Sequence, residues 1–399
     1  MRITDLVHLC RRLAALPSDP HTHRIVPPNP AVHSMPNSEA PPPHISQNPL
    51  DVIAAAPPSF SLQQAVDIAR DHYDLNVTAK ELLSERDQNF LLKQDDGKRF
   101  VLKIANTVED PLATDLQIQA LLHIQARADA MITAPTVQRT AAGAYSLATE
   151  FDGQSHVVRI VSYLDGDPLE NALLDADLAR KLGRYLARLG MALSDFFHSG
   201  ADHSLLWDLK QAAFLKGILQ HIGDERIRRL AASELEDFEA NVLPVFPSLR
   251  WQVIHNDMNP GNVLLSEDGS RQIAGVIDFG DMLRSPLIVD VAVAASYMRV
   301  FDGNPLALIA EFIAGYHQET PLTRAEIGIL HCLIKIRLIS TVAILAWRKS
   351  LRGADDGYLQ DAVASEQRAA LFLQNLAEIP AENATQSYRQ VCASISVKG

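Results

Sequence analysis

The sequence predicts an α+β chain of two lobes, a small antiparallel-sheet lobe followed by a large, mostly helical one. Three observations carry this reading. Short apolar runs broken by turn residues recur between Gln88 and Leu164, around one helical segment. From Asp165 onward helical spacing dominates, with Leu178, Leu182, Leu186, Leu189 and Leu193 on one face. A strand-rich island, Trp251 to Phe279, interrupts the helical part and carries polar residues at its strand ends.

The elements follow in order. Of 22 prolines, 12 fall between Pro17 and Pro58. Residues 1–58 therefore read as a disordered leader without apolar periodicity. Order is expected from Ser59, where Ser61 and Gln64 fit a capping box ahead of a helix. The runs Gln88–Lys93 and Arg99–Ala105 flank Asp95-Asp96-Gly97-Lys98, a hairpin signal. A helix is expected over Asp110–Ala128, then strands at Pro135–Arg139, Tyr145–Phe151 and His156–Leu164. Long helices are expected at Arg324–Arg348 and Tyr358–Leu376. The layout is a leader at 1–58, an N-lobe at 59–164, a C-lobe at 165–380 and a tail at 381–399.

Composition removes several classes. The chain is 47% hydrophobic and 21% charged, the balance of a globular protein. Its 36 basic and 48 acidic residues give a net charge of -12, which argues against a nucleic-acid partner. No membrane-spanning run or secretory signal is read, so no membrane association is expected. Cys10, Cys332 and Cys392 are too few and too scattered for a disulfide framework, and a reducing, cytoplasmic compartment is the default. Oligomeric state is not legible.

The island carries the chemistry. Strands ending in Val253-Ile254 and Val276-Ile277 bring Asp257, Asn262 and Asp278 to one hairpin. Two carboxylates and an amide offer hard oxygen ligands suited to magnesium, which keeps waters and substrate phosphates in its shell. A carboxylate not consumed by the metal can accept a proton from a substrate hydroxyl. Histidine, Asp257 and Asn262 stand in the order H-x-D-x-x-x-x-N, and Asp278-Phe279-Gly280 begins 16 residues after the Asn. That is the arrangement of a kinase catalytic loop and metal loop. Lys103 sits in the apolar strand Phe100-Val101-Leu102-Lys103-Ile104, where an unpaired ammonium is costly to bury. No G-x-S-x-G, H-E-x-x-H or Walker A sequence is present.

On these motifs the chain resembles the aminoglycoside phosphotransferase family of the protein-kinase-like superfamily. Glu85-Arg86-Asp87-Gln88-Asn89-Phe90, Val101-Leu102-Lys103-Ile104, Leu206-Trp207-Asp208-Leu209, His255-Asn256-Asp257 and Asp278-Phe279-Gly280-Asp281-Met282 resemble its hydroxylysine kinase branch. The resemblance covers about Phe60 to Leu376 and implies a protein-kinase-like bilobal fold.

The resemblance also implies roles. Asp257 would be the catalytic base, and Asn262 and Asp278 would hold Mg2+ on the nucleotide. Lys103 would touch the phosphates, and Asn89 would close the segment Ser84–Asn89 that stands over them. The backbone near Val161 and Tyr163 would receive the purine of ATP or GTP. Two departures stand out. No G-x-G-x-x-G loop is present, and the helix after Lys103 offers no Glu to pair with it, so Asp115 or Gln117 stands in, with Gln117 preferred from the register of its apolar neighbours. His255 reads as structural, and Asp290 as a helix cap in preference to a brace for the catalytic loop.

The expected reaction moves the terminal phosphoryl group of ATP or GTP to a hydroxyl of an amine-bearing metabolite, such as 5-hydroxylysine or a similar amino alcohol. Between Asp257 and Asp290 six acids stand against two arginines, which favours an amine. Asp281 is the candidate for that amine or for the metal. Arg337 and Arg348 are candidates for an acceptor carboxylate. An aminoglycoside or homoserine kinase, or a nucleotide-binding pseudokinase, are the alternatives.

Overall fold

The computed structural model describes residues 57–127, 131–352 and 357–396. The leader, apart from its last two residues, lies outside the described residues, as does Cys10. Ser61 opens helix α1 (Leu62–Tyr73) with the expected capping box: its Oγ accepts from Gln64 N at 3.2 Å, and Gln64 Oε1 accepts from Ser61 N at 2.8 Å.

Five strands follow, β1 (Thr78–Leu82), β2 (Gln88–Lys93), β3 (Arg99–Ile104), β4 (Leu147–Phe151) and β5 (Gln154–Ser162), in the sheet order β1-β2-β3-β5-β4. Every pairing is antiparallel. The turn between β2 and β3 needs Gly97, whose φ is +89°. Alternate residues face α1: Phe90, Leu92, Phe100, Leu102, Ile104, Val158 and Ile160 pack on Ala65, Ile68 and Tyr73. The same alternation turns Lys103 to the other face. Helix α2 (Pro111–Gln125) starts after the Asp110 cap, which accepts from Leu112 N at 2.9 Å. The strand expected at Pro135–Arg139 reduces to one bridge between Val137 and Val161. Strand β1 was not read from the sequence, because its Thr-Ala-Lys-Glu-Leu is mostly exposed and polar.

The second lobe contains β6 (Asp167–Pro168), α3 (Ala176–Ala192), α4 (Glu225–Asp237), β7 (Trp251–Ile254), β8 (Val263–Leu265), β9 (Ile273–Val276) and β10 (Leu283–Pro286). Helices α5 (Leu287–Ala295), α6 (Ala307–Glu319), α7 (Arg324–Arg352), α8 (Gly357–Ala377) and α9 (Ala381–Ser396) complete it. Strands β8 and β9 form the expected hairpin, and β7 pairs with β10. Helices α3 and α6 touch backbone to backbone. A Cβ on Gly183 would stand 2.0 Å from Phe312 O, and one on Gly315 the same distance from Arg180 O. Only glycine allows this approach.

Two expectations change here. Helix α7 is long and apolar enough to cross a membrane over Arg324–Leu351, contrary to the reading that no stretch is. The most apolar 18-residue window of this helix is wholly buried in the protein, and the helix carries the buried polar residues His331, Lys335 and Arg337. It is the spine on which α5, α8 and α9 pack. The segment read as a tail, 381–399, forms α9 over Ala381–Ser396. Ala384, Tyr388 and Cys392 are buried because they repeat at helical spacing and face α6 and α7.

Candidate active site

The loop between β7 and β8 is held from below by Asp290, the fourth residue of α5. Its Oδ1 accepts from Asn256 N at 2.8 Å and its Oδ2 from His255 N at 3.2 Å. The cap reading of Asp290 is therefore corrected: Pro286 takes the cap position, and the carboxylate is spent on the catalytic loop. Its burial pushes the carboxyl up to about 6. His255 is fully buried, accepts from Asp257 N at 3.3 Å, and packs edge-on to Phe279 at 4.9 Å. Burial lowers its pKa, which keeps the imidazole neutral. It organises the loop, as read.

Asp257 emerges from this support. Its Oδ2 accepts from Asn259 Nδ2 at 3.0 Å and Asn262 Nδ2 at 2.8 Å, and its Oδ1 from Arg337 Nη2 at 3.2 Å. Burial, then the nearby charge of Asp281, push its pKa up, while Arg337 and Asn259 pull it back. Both directions suit a base that must hold and release a proton. Asn256, just before it, has φ +63°, and Asp278 has φ +58°. Left-handed backbone at two non-glycine residues costs free energy that the surrounding packing must offset.

Asp278 receives Lys103 Nζ at 3.1 Å. That ammonium holds its carboxylate well below the ordinary range, so it is ionised. Asn262 spends its amide nitrogen on Asp257, which leaves its carbonyl oxygen available as a metal ligand. The Asn262 backbone carbonyl in turn accepts from Ile277 N at 2.9 Å, one residue before Asp278. An ionised carboxylate and an amide oxygen joined across one hairpin fit a hard divalent cation such as Mg2+.

Gln117 does not reach Lys103. It accepts from Arg159, which stands opposite Lys103 in the β3–β5 register, and both are buried. The helix register presents its amide to the wrong one of two neighbouring cations. Glu109, just ahead of α2, feels the charges of Arg86, Arg159 and Lys103, while burial and Asp87 push its carboxyl up. It is a carboxylate the sequence reading missed, because it precedes the helix instead of lying in it. Asn89 stands directly opposite Lys103 across β2 and β3, and its buried Oδ1 lacks a hydrogen-bond donor among the described residues. Val161 is buried in β5 opposite Val101. The Tyr163 amide is already given to Arg99 O at 3.1 Å, and the Arg99 guanidinium lies 4.4 Å over its ring.

The segment 84–89 is tied to the second lobe by two ion pairs. Arg86 pairs with Asp281, and Glu85 with Arg348 of α7. Trp207 Nε1 adds a hydrogen bond to Glu85 Oε2 at 3.3 Å. Asp281, read as a candidate for an amine or the metal, and Arg348, read as a candidate for an acceptor carboxylate, are both engaged between the lobes.

A cavity of about 630 Å3 opens beside Asp257. Glu85, Glu170, Trp207, Asp281, Tyr297 and Arg337 are among its lining residues, whereas Lys103, Asn262 and Asp278 are not. The site thus has two sides that meet at Asp257. Glu170, which no sequence motif singled out, is exposed at this rim next to Gly261.

The model of the phosphotransferase enzyme family matches residues 78–327. Hydroxylysine kinase of Mus musculus is 26% identical over 327 residues, covering 77% of this chain and 87% of the mouse protein. The Bos taurus hydroxylysine kinase is 27% identical over the same shares. Among solved structures, a microcompartment-associated aminopropanol kinase has a TM-score of 0.56 at 19% identity, covering 77% of this chain and 95% of its own. An amicoumacin kinase in complex with AMP-PNP and Ca2+ has a TM-score of 0.60 at 15% identity, with coverage of 81% and 95%. The fold is therefore protein-kinase-like, as expected, and the chain belongs to the phosphotransferase enzyme family.

Proposed function

We propose that this phosphotransferase moves the terminal phosphoryl group of ATP or GTP onto a hydroxyl of an amine-bearing metabolite, with 5-hydroxylysine the leading acceptor. The observation that carries the reading is the position of Asp257, shared between a cavity for an acceptor and the Lys103–Asp278 side that suits a nucleotide. The relatives named hydroxylysine kinase support the acceptor class.

Asn262 and Asp278 would hold Mg2+, which when bound neutralises phosphate charge. Lys103 would give its ammonium to the same phosphates, moving from Asp278. Asp257 would accept a hydrogen bond from the acceptor hydroxyl and orient its oxygen toward the phosphoryl group. Asn259, Asn262 and Arg337 fix the carboxylate for this, so positioning supplies much of the rate. Glu170, free at the rim, would meet the acceptor's amine.

The test is turnover with Mg2+, ATP or GTP, and an acceptor panel of 5-hydroxylysine, homoserine, ethanolamine, choline and kanamycin. Acceptor-dependent release of nucleoside diphosphate, strongest with 5-hydroxylysine, is expected. Release with no acceptor of the panel would contradict the reading.

A further inference from the structure

The cavity beside Asp257 has a basic wall. Arg299, Arg337 and Arg368 all line it. Arg337 is 3% exposed and lies on the Trp207 ring at 4.5 Å. Only its Nη2 is engaged, by Asp257 at 3.2 Å and Tyr297 Oη at 3.5 Å. Its Nε and Nη1 are buried without an acceptor among the described residues. Arg299 gives Nε to Ser296 O at 2.9 Å, and its buried Nη2 is likewise without an acceptor. Arg368 is exposed and lies 5.6 Å over the Phe301 ring. Neither Arg299 nor Arg368 forms an ion pair among the described residues.

Buried N–H groups of a guanidinium are expensive to leave unpaired. The charges also repel one another: burial, with Arg368 and Arg337 nearby, brings the Arg299 pKa down to about 10. Asp257 and Asp281 offset the charge of Arg337, whereas Arg299 and Arg368 have no acidic partner among the described residues. Glu85 is taken by Arg348 and Asp281 by Arg86. An anion held by the arginines that line the cavity would offset their mutual repulsion, and a planar carboxylate matches the fork geometry of a guanidinium.

We propose that Arg299, Arg337 and Arg368 form an anion subsite for the carboxylate of the acceptor, which makes the substrate a hydroxy-amino acid and disfavours carboxyl-free amino alcohols and polycationic sugars. The inference rests on the acceptor reading above and adds to it the group that is recognised. Glu170 at the rim and the arginine wall would then divide a zwitterion between them.

The test compares 5-hydroxylysine with its α-carboxamide, at saturating nucleotide, for the wild-type protein and for Arg299→Gln and Arg368→Gln. The wild type should show a KM at least about 10-fold lower for the acid, the size of one charge-assisted contact. Each variant should raise the KM for the acid about 10-fold, with kcat and the carboxamide KM within twofold. Arg368 is exposed, so Arg368→Gln reads the subsite even where Arg299→Gln fails to fold. Equal effects on both acceptors would overturn the proposal. So would a rise in nucleotide KM matching that of the acid, which would assign the arginines to phosphate. Wild-type turnover of carboxyl-free acceptors in preference to the acid would overturn the subsite and leave amine-directed phosphoryl transfer standing. Turnover of no acceptor would overturn both.

Discussion

Lys103 Nζ lies 3.1 Å from Asp278 Oδ1, so two motifs 175 residues apart in the chain meet as one ion pair. The pair gives the first prediction. Asp278→Asn removes the charge that would hold Mg2+ and should lower kcat by about 1000-fold or more, as loss of a main electrostatic stabiliser does. The melting temperature should fall as well, because the mostly buried Lys103 loses its ion-pair partner. Steady-state kinetics and thermal unfolding check both statements.

Asp290 is predicted to act through the loop it holds. Asp290→Ala would leave the buried N–H groups of His255 and Asn256 without an acceptor. The cost should be about 2–4 kcal/mol, from two unsatisfied donors. Denaturant unfolding measures the loss, and kcat should fall with it while nucleotide KM holds.

The Glu85–Arg348 pair is buried on the arginine side and bridges the lobes. Removing one partner of such a pair leaves a charge uncompensated. Arg348→Met should therefore destabilise by about 3 kcal/mol. The added substitution Glu85→Gln should recover part of it, and a double-mutant cycle in urea reads the coupling.

Helix α3 depends on the contact of Gly183 with Phe312 O. Gly183→Ala forces α3 and α6 apart and should be among the most destabilising substitutions, by about 3 kcal/mol or more. The measurement is the midpoint of chemical unfolding.

Docking of α9 should depend on pH. His331 is buried between Tyr388 Oη at 3.3 Å and Leu376 O at 3.2 Å, and burial lowers its pKa to about 4. In the unfolded chain it titrates near 6.5. Between these values the unfolded state binds more protons. Stability is complete above pH 6.5 and is lost as pH falls toward 4, by about 3 kcal/mol from this group. The melting temperature should drop between pH 7.5 and pH 5, with a shallower slope in His331→Gln.

Much of the site was legible because its chemistry is written as short linear patterns. His255, Asp257, Asn262 and Asp278 lie within 24 residues, and the hairpin β8–β9 brings them together. The N-lobe hairpin and the Ser61 cap were equally local. What escaped the sequence depends on distant pairing. Gln117 lies on a helix whose register chooses between Lys103 and Arg159, and spacing alone does not separate two adjacent cations. Arg348 finds Glu85 across 263 residues. Glu170 matters only because the loop before α3 folds back on Gly261. Inside α7 the sequence offered Arg337 and Arg348 alike, and only the fold separates Arg337 on the cavity from Arg348 paired with Glu85.

The proposed transfer turns on Asp257, which would orient the acceptor hydroxyl toward the phosphoryl group. The most direct measurement is the turnover of Asp257→Asn beside its affinity for Mg2+ and nucleotide. The account predicts a fall in kcat of about 1000-fold, within the span of general-base loss, with nucleotide Kd unchanged within twofold. Wild-type kcat in Asp257→Asn would contradict it.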